Sequence, residues 1–132
     1  MRVVALLVSP GTYKRPLKKF LNDFMAAHRD LSGLDVAGLE ARFKRAAELL
    51  LDGPGSAALR PGGTAVNAAL TEAVFVGLMR RLEISEPGTE TVISATSALL
   101  TEPELPGVIE RATADEDSVK RLALATKAFV QV

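Results

Sequence analysis

The chain has no cysteine, which excludes disulfide frameworks, thiol nucleophiles and thiolate metal sites. It has one histidine, so a hydrolytic constellation of nucleophile, base and orienter has almost nothing to be built from. It has no excess of either charge: 16 Lys and Arg balance 16 Asp and Glu. That removes the long-range positive field on which non-specific nucleic-acid binding depends. The one local basic concentration is Lys14, Arg15, Lys18 and Lys19. Long apolar runs are also missing. Val3 to Val8 is too short for a signal-peptide core and far too short to span a bilayer, so a cytoplasmic protein with no membrane partner is expected.

What is present suffices for a folded domain. With 132 residues, 48% hydrophobic and 24% charged, the chain buries a core without metal or disulfide staples, and one domain spanning 1–132 is expected. The opening stretch Met1 to Ser9 is apolar nearly all round, so periodicity alone does not separate buried helix from buried strand. Pro10-Gly11 ends it. An apolar start of this kind suggests a surface that faces a neighbour, with an upstream catalytic domain lacking. Val3, Val4, Leu6 and Leu7 are its candidate interface residues.

Beyond it the pattern is helical. Leu17, Phe20, Leu21, Phe24 and Met25 recur at offsets of three and four, which predicts a helix from Pro16 to about His28, with Lys19 and Asp23 spaced for an ion pair on its outer side. Asp35 is placed to cap a helix with the stripe Leu39, Phe43, Ala46, Ala47 and Leu50. Gly53 to Gly63 reads as an exposed connector with a short turn through Ala57, Ala58 and Leu59. Thr64 is expected to cap a central helix running to Leu82, with small residues Ala69, Ala73 and Gly77 allowing close approach. Thr89 to Thr101 is expected to form a further helix, with Val92, Ile93, Ala95, Thr96, Leu99 and Leu100 arranged at helical spacing. Pro103 and Pro106 break the chain, and Val108 to Ala112 adds one short turn. A last helix starts at Asp115, with Val119, Leu122, Ala123, Thr126, Phe129 and Val130 inward and the pairs Glu116–Lys120 and Asp117–Arg121 outward. Together these predict an all-α fold, a compact bundle of five to six helices with short Gly/Pro-rich loops.

No catalytic, metal or cofactor site emerges. His28 falls at a helix C-terminus, where an imidazolium complements the dipole. Asp115, Glu116 and Asp117 crowd a helix start, where negative charge is stabilising. The candidate anion-binding element is Arg60-Pro-Gly-Gly-Thr64, in which Arg60, Gly62, Gly63 and Thr64 lead into a helix N-terminus, though without the Lys-Ser/Thr ending of a phosphate loop. Asn67 and Glu72 interrupt an apolar helix about 140° apart on its wheel. Asn67 is expected to satisfy first-turn amides and Glu72 to pair with an arginine from a neighbouring segment.

Two stretches carry a family likeness: Arg2-Val-Val-Ala-Leu-Leu through Tyr13-Lys-Arg-Pro-Leu-Lys-Lys-Phe-Leu-Asn-Asp-Phe-Met25, and Val66-Asn-Ala-Ala-Leu-Thr-Glu-Ala-Val-Phe-Val76. They resemble the helical C-terminal part of the GmrSD-type restriction endonuclease family, whose first domain is related to ParB-like nucleases. The family's Tyr…Lys…Phe-Leu-Asn and Asn-x-Ala-Leu-x-Glu-Ala landmarks correspond here to Tyr13, Lys19, Phe20, Leu21 and Asn22, and to Asn67, Ala69, Leu70, Glu72 and Ala73. The segment from Arg111 to Phe129 is similar as well. The family's Asp-Gly-Gln-Arg-type motif and any His-Asn-His-type nuclease tail are missing from this sequence. The resemblance therefore implies a non-catalytic helical module of a DNA-restriction or phage-defence system. Its expected partner is a companion ParB-like domain or a second copy, with nucleic acid reached only indirectly. A self-associating regulatory or antitoxin-like protein, and a weak anion- or nucleic-acid-binding module, are the alternatives.

Overall fold

A computed structural model describes residues 2–8, 17–30, 33–61, 63–109 and 115–131. Among them lie seven α-helices and no strand: α1 (Arg2–Val8), α2 (Leu17–Ala27), α3 (Val36–Asp52), α4 (Ala68–Ile84), α5 (Thr89–Leu100), α6 (Leu105–Ile109) and α7 (Asp115–Phe129), with a 3₁₀ turn at Ser56–Leu59. The apolar opening is thus helical. Tyr13, Lys14, Arg15, Gly62 and Arg111 fall outside the described residues, as do the side chains of Asp115, Glu116 and Asp117.

α4 is the axis. Its residues Ala69, Leu70, Glu72, Ala73, Val74, Val76, Gly77, Leu78 and Met79 are all buried, because α1, α3 and α7 pack around it. A helix apolar on every side has to sit in the middle of a fold. Full burial of Leu70, Leu78 and Met79 stabilises by about 1.5–3 kcal/mol for each side chain. The closest approach is to α7 at Gly77, where a Cβ would lie 2.9 Å from Phe129 Cδ2 and 3.2 Å from the Cβ of Ala125.

That approach explains a shift in α7. The buried face is Arg121, Ala125, Ala128 and Phe129, whereas Val119 and Ala123 are exposed and Leu122, Thr126 and Val130 are half-buried. Ala125 and Phe129 are the residues that meet α4 at Gly77, and Arg121 shares their face at the spacing i, i+4, i+7, i+8 with Ala128. Arg121, expected outside, is only 1% exposed and donates from Nη1 to the carbonyl of Val108 at 2.7 Å.

The same carbonyl end of α6 receives a second side chain: Asn67 Nδ2 donates to Ile109 O at 3.3 Å. The last turn of a short helix leaves carbonyls without intrahelical donors, and here α4 and α7 supply them. α6 also starts earlier than the expected turn at Val108 and contains Pro106, which is tolerated in a first turn because no amide is needed there.

Two apolar clusters result. The larger joins α3, α4, α5, α6 and α7, with Leu7 of α1. The smaller gathers Ala5, Leu6, Phe20, Phe24 and Val76, edged by Val4, Leu21, Leu34 and Leu122. Arg80 ties them together by donating to Thr126 Oγ1 at 2.7 Å and to Leu6 O at 3.4 Å. Burial lowers its pKa from the usual arginine value, and Glu83 opposes that shift. On the surface, Arg42 pairs with Glu83, and Arg45 with Glu48 and Glu86, which clamps α3 to the end of α4 and the residues after it.

Candidate functional site

α2 buries Phe20 and Phe24 against α1 and α4 but leaves Met25 51% exposed. The reason is angular: Met25 lies on the face Asn22, Met25, Ala26, one step round the helix from Phe24. α3 divides along its length. Its second half places Ala46, Leu49 and Leu50 in the core, while its first half shows Val36, Leu39, Glu40 and Phe43 along one side. Asp35 begins that half by accepting the Gly38 amide at 3.0 Å, as the cap chemistry predicts.

Between these two faces runs an apolar groove of about 800 Å³, floored by Val4, Phe24 and Leu34. Leu39 belongs to the edge of the larger cluster and Phe24 to the smaller, so the groove lies along the seam between them. Phe43 is 45% exposed, yet its ring is held by stacking on Phe75, centroids 4.7 Å apart and planes within 20°. An exposed aromatic fixed in this way offers contact area at little ordering cost. At the end of the groove His28 packs on Phe24 with ring centroids 4.6 Å apart, and its amide donates to Phe24 O at 3.1 Å. The chain then turns over the imidazole at Gly33, whose φ of +75° suits glycine. The polar members of the lining are Asn22, His28, Arg29 and Glu40. Among the described residues no group of three or more His, Asp and Glu is arranged to hold a metal.

The positions singled out in the sequence do not converge. Leu6 and Leu7 are buried at 0% and 7% exposure and Val3 and Val4 are half-buried. The expected interface is therefore covered by this chain's own α4 and α2, and only Val4 reaches the groove. Arg60 and Thr64 are exposed but occupied with each other: Arg60 Nη1 donates to Thr64 O at 2.8 Å and the Gly63 amide to Arg60 O at 2.9 Å. The turn they make is not a helix start. Helix α4 begins at Ala68, and its cap is Asn67, whose Oδ1 accepts the Leu70 amide at 2.9 Å, not Thr64. Among the described residues, Arg60, Gly63 and Thr64 therefore do not stand at the start of a helix, contrary to the expectation for this element. Phe20 and Leu21 serve the smaller cluster and Glu72 is buried on α4. Of the described landmark residues, Asn22 alone lines the groove. Arg29, Val36 and Glu40 carried no sequence signal as a group. What betrays them is α3 itself, whose apolar residues extend N-terminally past the stretch its core contact covers.

Comparison with known protein families, characterised proteins and solved structures finds no match. Among the described residues no helix is long and apolar enough to cross a membrane.

Proposed function

We propose that this chain is a non-catalytic helical interaction module that binds a companion chain in the groove between α2 and α3. One observation carries the reading: Phe43 and Met25 face a concave apolar space while remaining about half exposed, with Phe43 immobilised on Phe75. Concave apolar surface anchored by a rigid aromatic is where binding energy concentrates in protein interfaces. The setting, restriction of foreign or modified DNA in the cytoplasm, is supported by the likeness of residues 2–25 and 66–76 to the GmrSD-type helical region. In that setting the companion is a ParB-like domain that supplies the catalytic residues. A chain free of cysteine is compatible with a reducing compartment.

The test is to mix the purified chain with a ParB-like nuclease domain of the GmrSD type and to measure complex formation by light scattering after gel filtration. A complex is expected for the wild type and its loss for Met25→Lys and Phe43→Lys, with both variants still folded by circular dichroism, Met25→Lys melting with the wild type and Phe43→Lys a few degrees lower for the loss of its stacking on Phe75. Failure of the wild type to bind, or equal binding by the lysine variants, overturns the proposal.

A further inference from the structure

The two walls of the groove share one geometry. Asn22, Met25, Ala26 and Arg29 on the α2 side, and Val36, Leu39, Glu40 and Phe43 on the α3 side, each follow the spacing i, i+3, i+4, i+7. Each wall is therefore a helical face of two turns, about 10 Å long. Side-chain ridges at these offsets are what a third helix packs into, and laying an apolar helix face into such a groove is a recurrent mode of recognition.

Size and charge narrow the occupant. A strip about 10 Å long falls well short of the roughly 800 Å² per partner that a stable interface between two globular surfaces buries. An element inserted into the groove, and so covered on three sides, gains more from the same length. The walls differ in sign: Arg29 stands on the α2 side and Glu40 on the α3 side, both exposed. Charges flanking an apolar seam select the flanks of the helix that fills it, as they do beside coiled-coil cores.

We infer that the companion inserts an amphipathic helix into this groove, with its apolar stripe on Met25 and Phe43, an acidic flank toward Arg29 and a basic flank toward Glu40. The inference rests on the groove being the binding surface proposed above. The opposite charges of the two walls also give the helix a direction, since reversing it would place like charges together.

The probes are three fluorescein-labelled helical peptides with one leucine stripe and flanks of Glu/Lys, Glu/Glu or Lys/Lys, titrated by anisotropy into the full chain. Wild type is expected to prefer the mixed peptide by about three- to tenfold, since one exposed pair contributes roughly two- to fivefold. Arg29→Glu is expected to move the preference to Lys/Lys, and Glu40→Lys to Glu/Glu; both positions are exposed, so folding is retained. Equal binding of all three peptides overturns the charge assignment while leaving the groove reading intact. If no peptide binds, although the companion still binds in a Phe43-dependent way, the inserted helix is wrong and the module reading survives. A wild-type homodimer that Phe43→Lys dissociates assigns the groove to a second copy and overturns the inference.

Discussion

Replacing Gly77 with valine tests the contact on which the bundle turns. A Cβ there meets Phe129 Cδ2 at 2.9 Å, and Ala125 Cβ and the Ala125 carbonyl oxygen at 3.2 Å each. Phe129 is 2% exposed and Ala125 0%, so neither side chain has room to retreat, and relief requires α7 to move off α4. Helix propensity favours valine over glycine by about 0.4 kcal/mol. Forcing extra carbons into a filled interface costs about 1–3 kcal/mol, and three carbons against a backbone oxygen and a boxed ring belong at the upper end. The net loss is about 2 kcal/mol, which lowers Tm by about 8 °C for a chain of this size. Alanine places only the first carbon and recovers about 1 kcal/mol of propensity, so it falls between the two. Circular dichroism melts, supported by urea midpoints at unchanged m-value, measure both variants. A valine variant that melts with the wild type refutes the packing at Gly77.

Three further outcomes follow from the same contacts. Arg121→Ala removes a buried side chain and its bond to Val108 O; a loss of about 3 kcal/mol is expected in urea unfolding, and a loss no larger than that of an exposed Lys120→Ala control contradicts its burial. Asn67→Ala deletes both the cap of α4 and the bond to Ile109 O and is expected to lower stability by about 1–2 kcal/mol, whereas Thr64→Ala stays within about 0.5 kcal/mol; the reverse order would mean that Thr64 is the cap. The Glu102 carboxylate accepts a hydrogen bond from Lys127 at 2.7 Å and raises its pKa above the usual lysine value. A raised folded-state pKa contributes stability that is complete below the unfolded value and lost as pH climbs through the folded one. Lys127→Met is therefore expected to flatten the alkaline end of the stability-versus-pH curve, and an unchanged alkaline limb contradicts the pairing.

Local signals were legible where one physical term dominated. The Asp35 cap, the Lys19–Asp23 pair at 2.7 Å, the 3₁₀ turn beside Ala57 and the central place of α4 followed from side-chain chemistry, glycine content or small residues. Where two terms competed, the pattern misled. Arg121 reads as surface because an arginine is seldom buried, but Gly77 of α4 takes Ala125 and Phe129 against it, and Arg121, four residues before Ala125, shares that buried face. Thr64 and Asn67 are both good caps, and the loop closure between Arg60 and Thr64 leaves the role to Asn67. Val3, Val4, Leu6 and Leu7 were legible as apolar, but not as covered by α2 and α4. The groove was the least legible feature. Leu39 and Phe43 carry the same periodicity as core residues, and only the tertiary arrangement separates the half of α3 that packs from the half that stays open.

The central claim is that binding energy lies in the α2–α3 groove. Hydrogen–deuterium exchange of the chain, free and mixed in excess with the ParB-like domain proposed as its companion, tests it most directly. New protection is expected over Asn22–Arg29 and Val36–Phe43, with little change elsewhere. Protection centred on Arg60–Thr64 or on the exposed end of α1, with the groove unchanged, would contradict it.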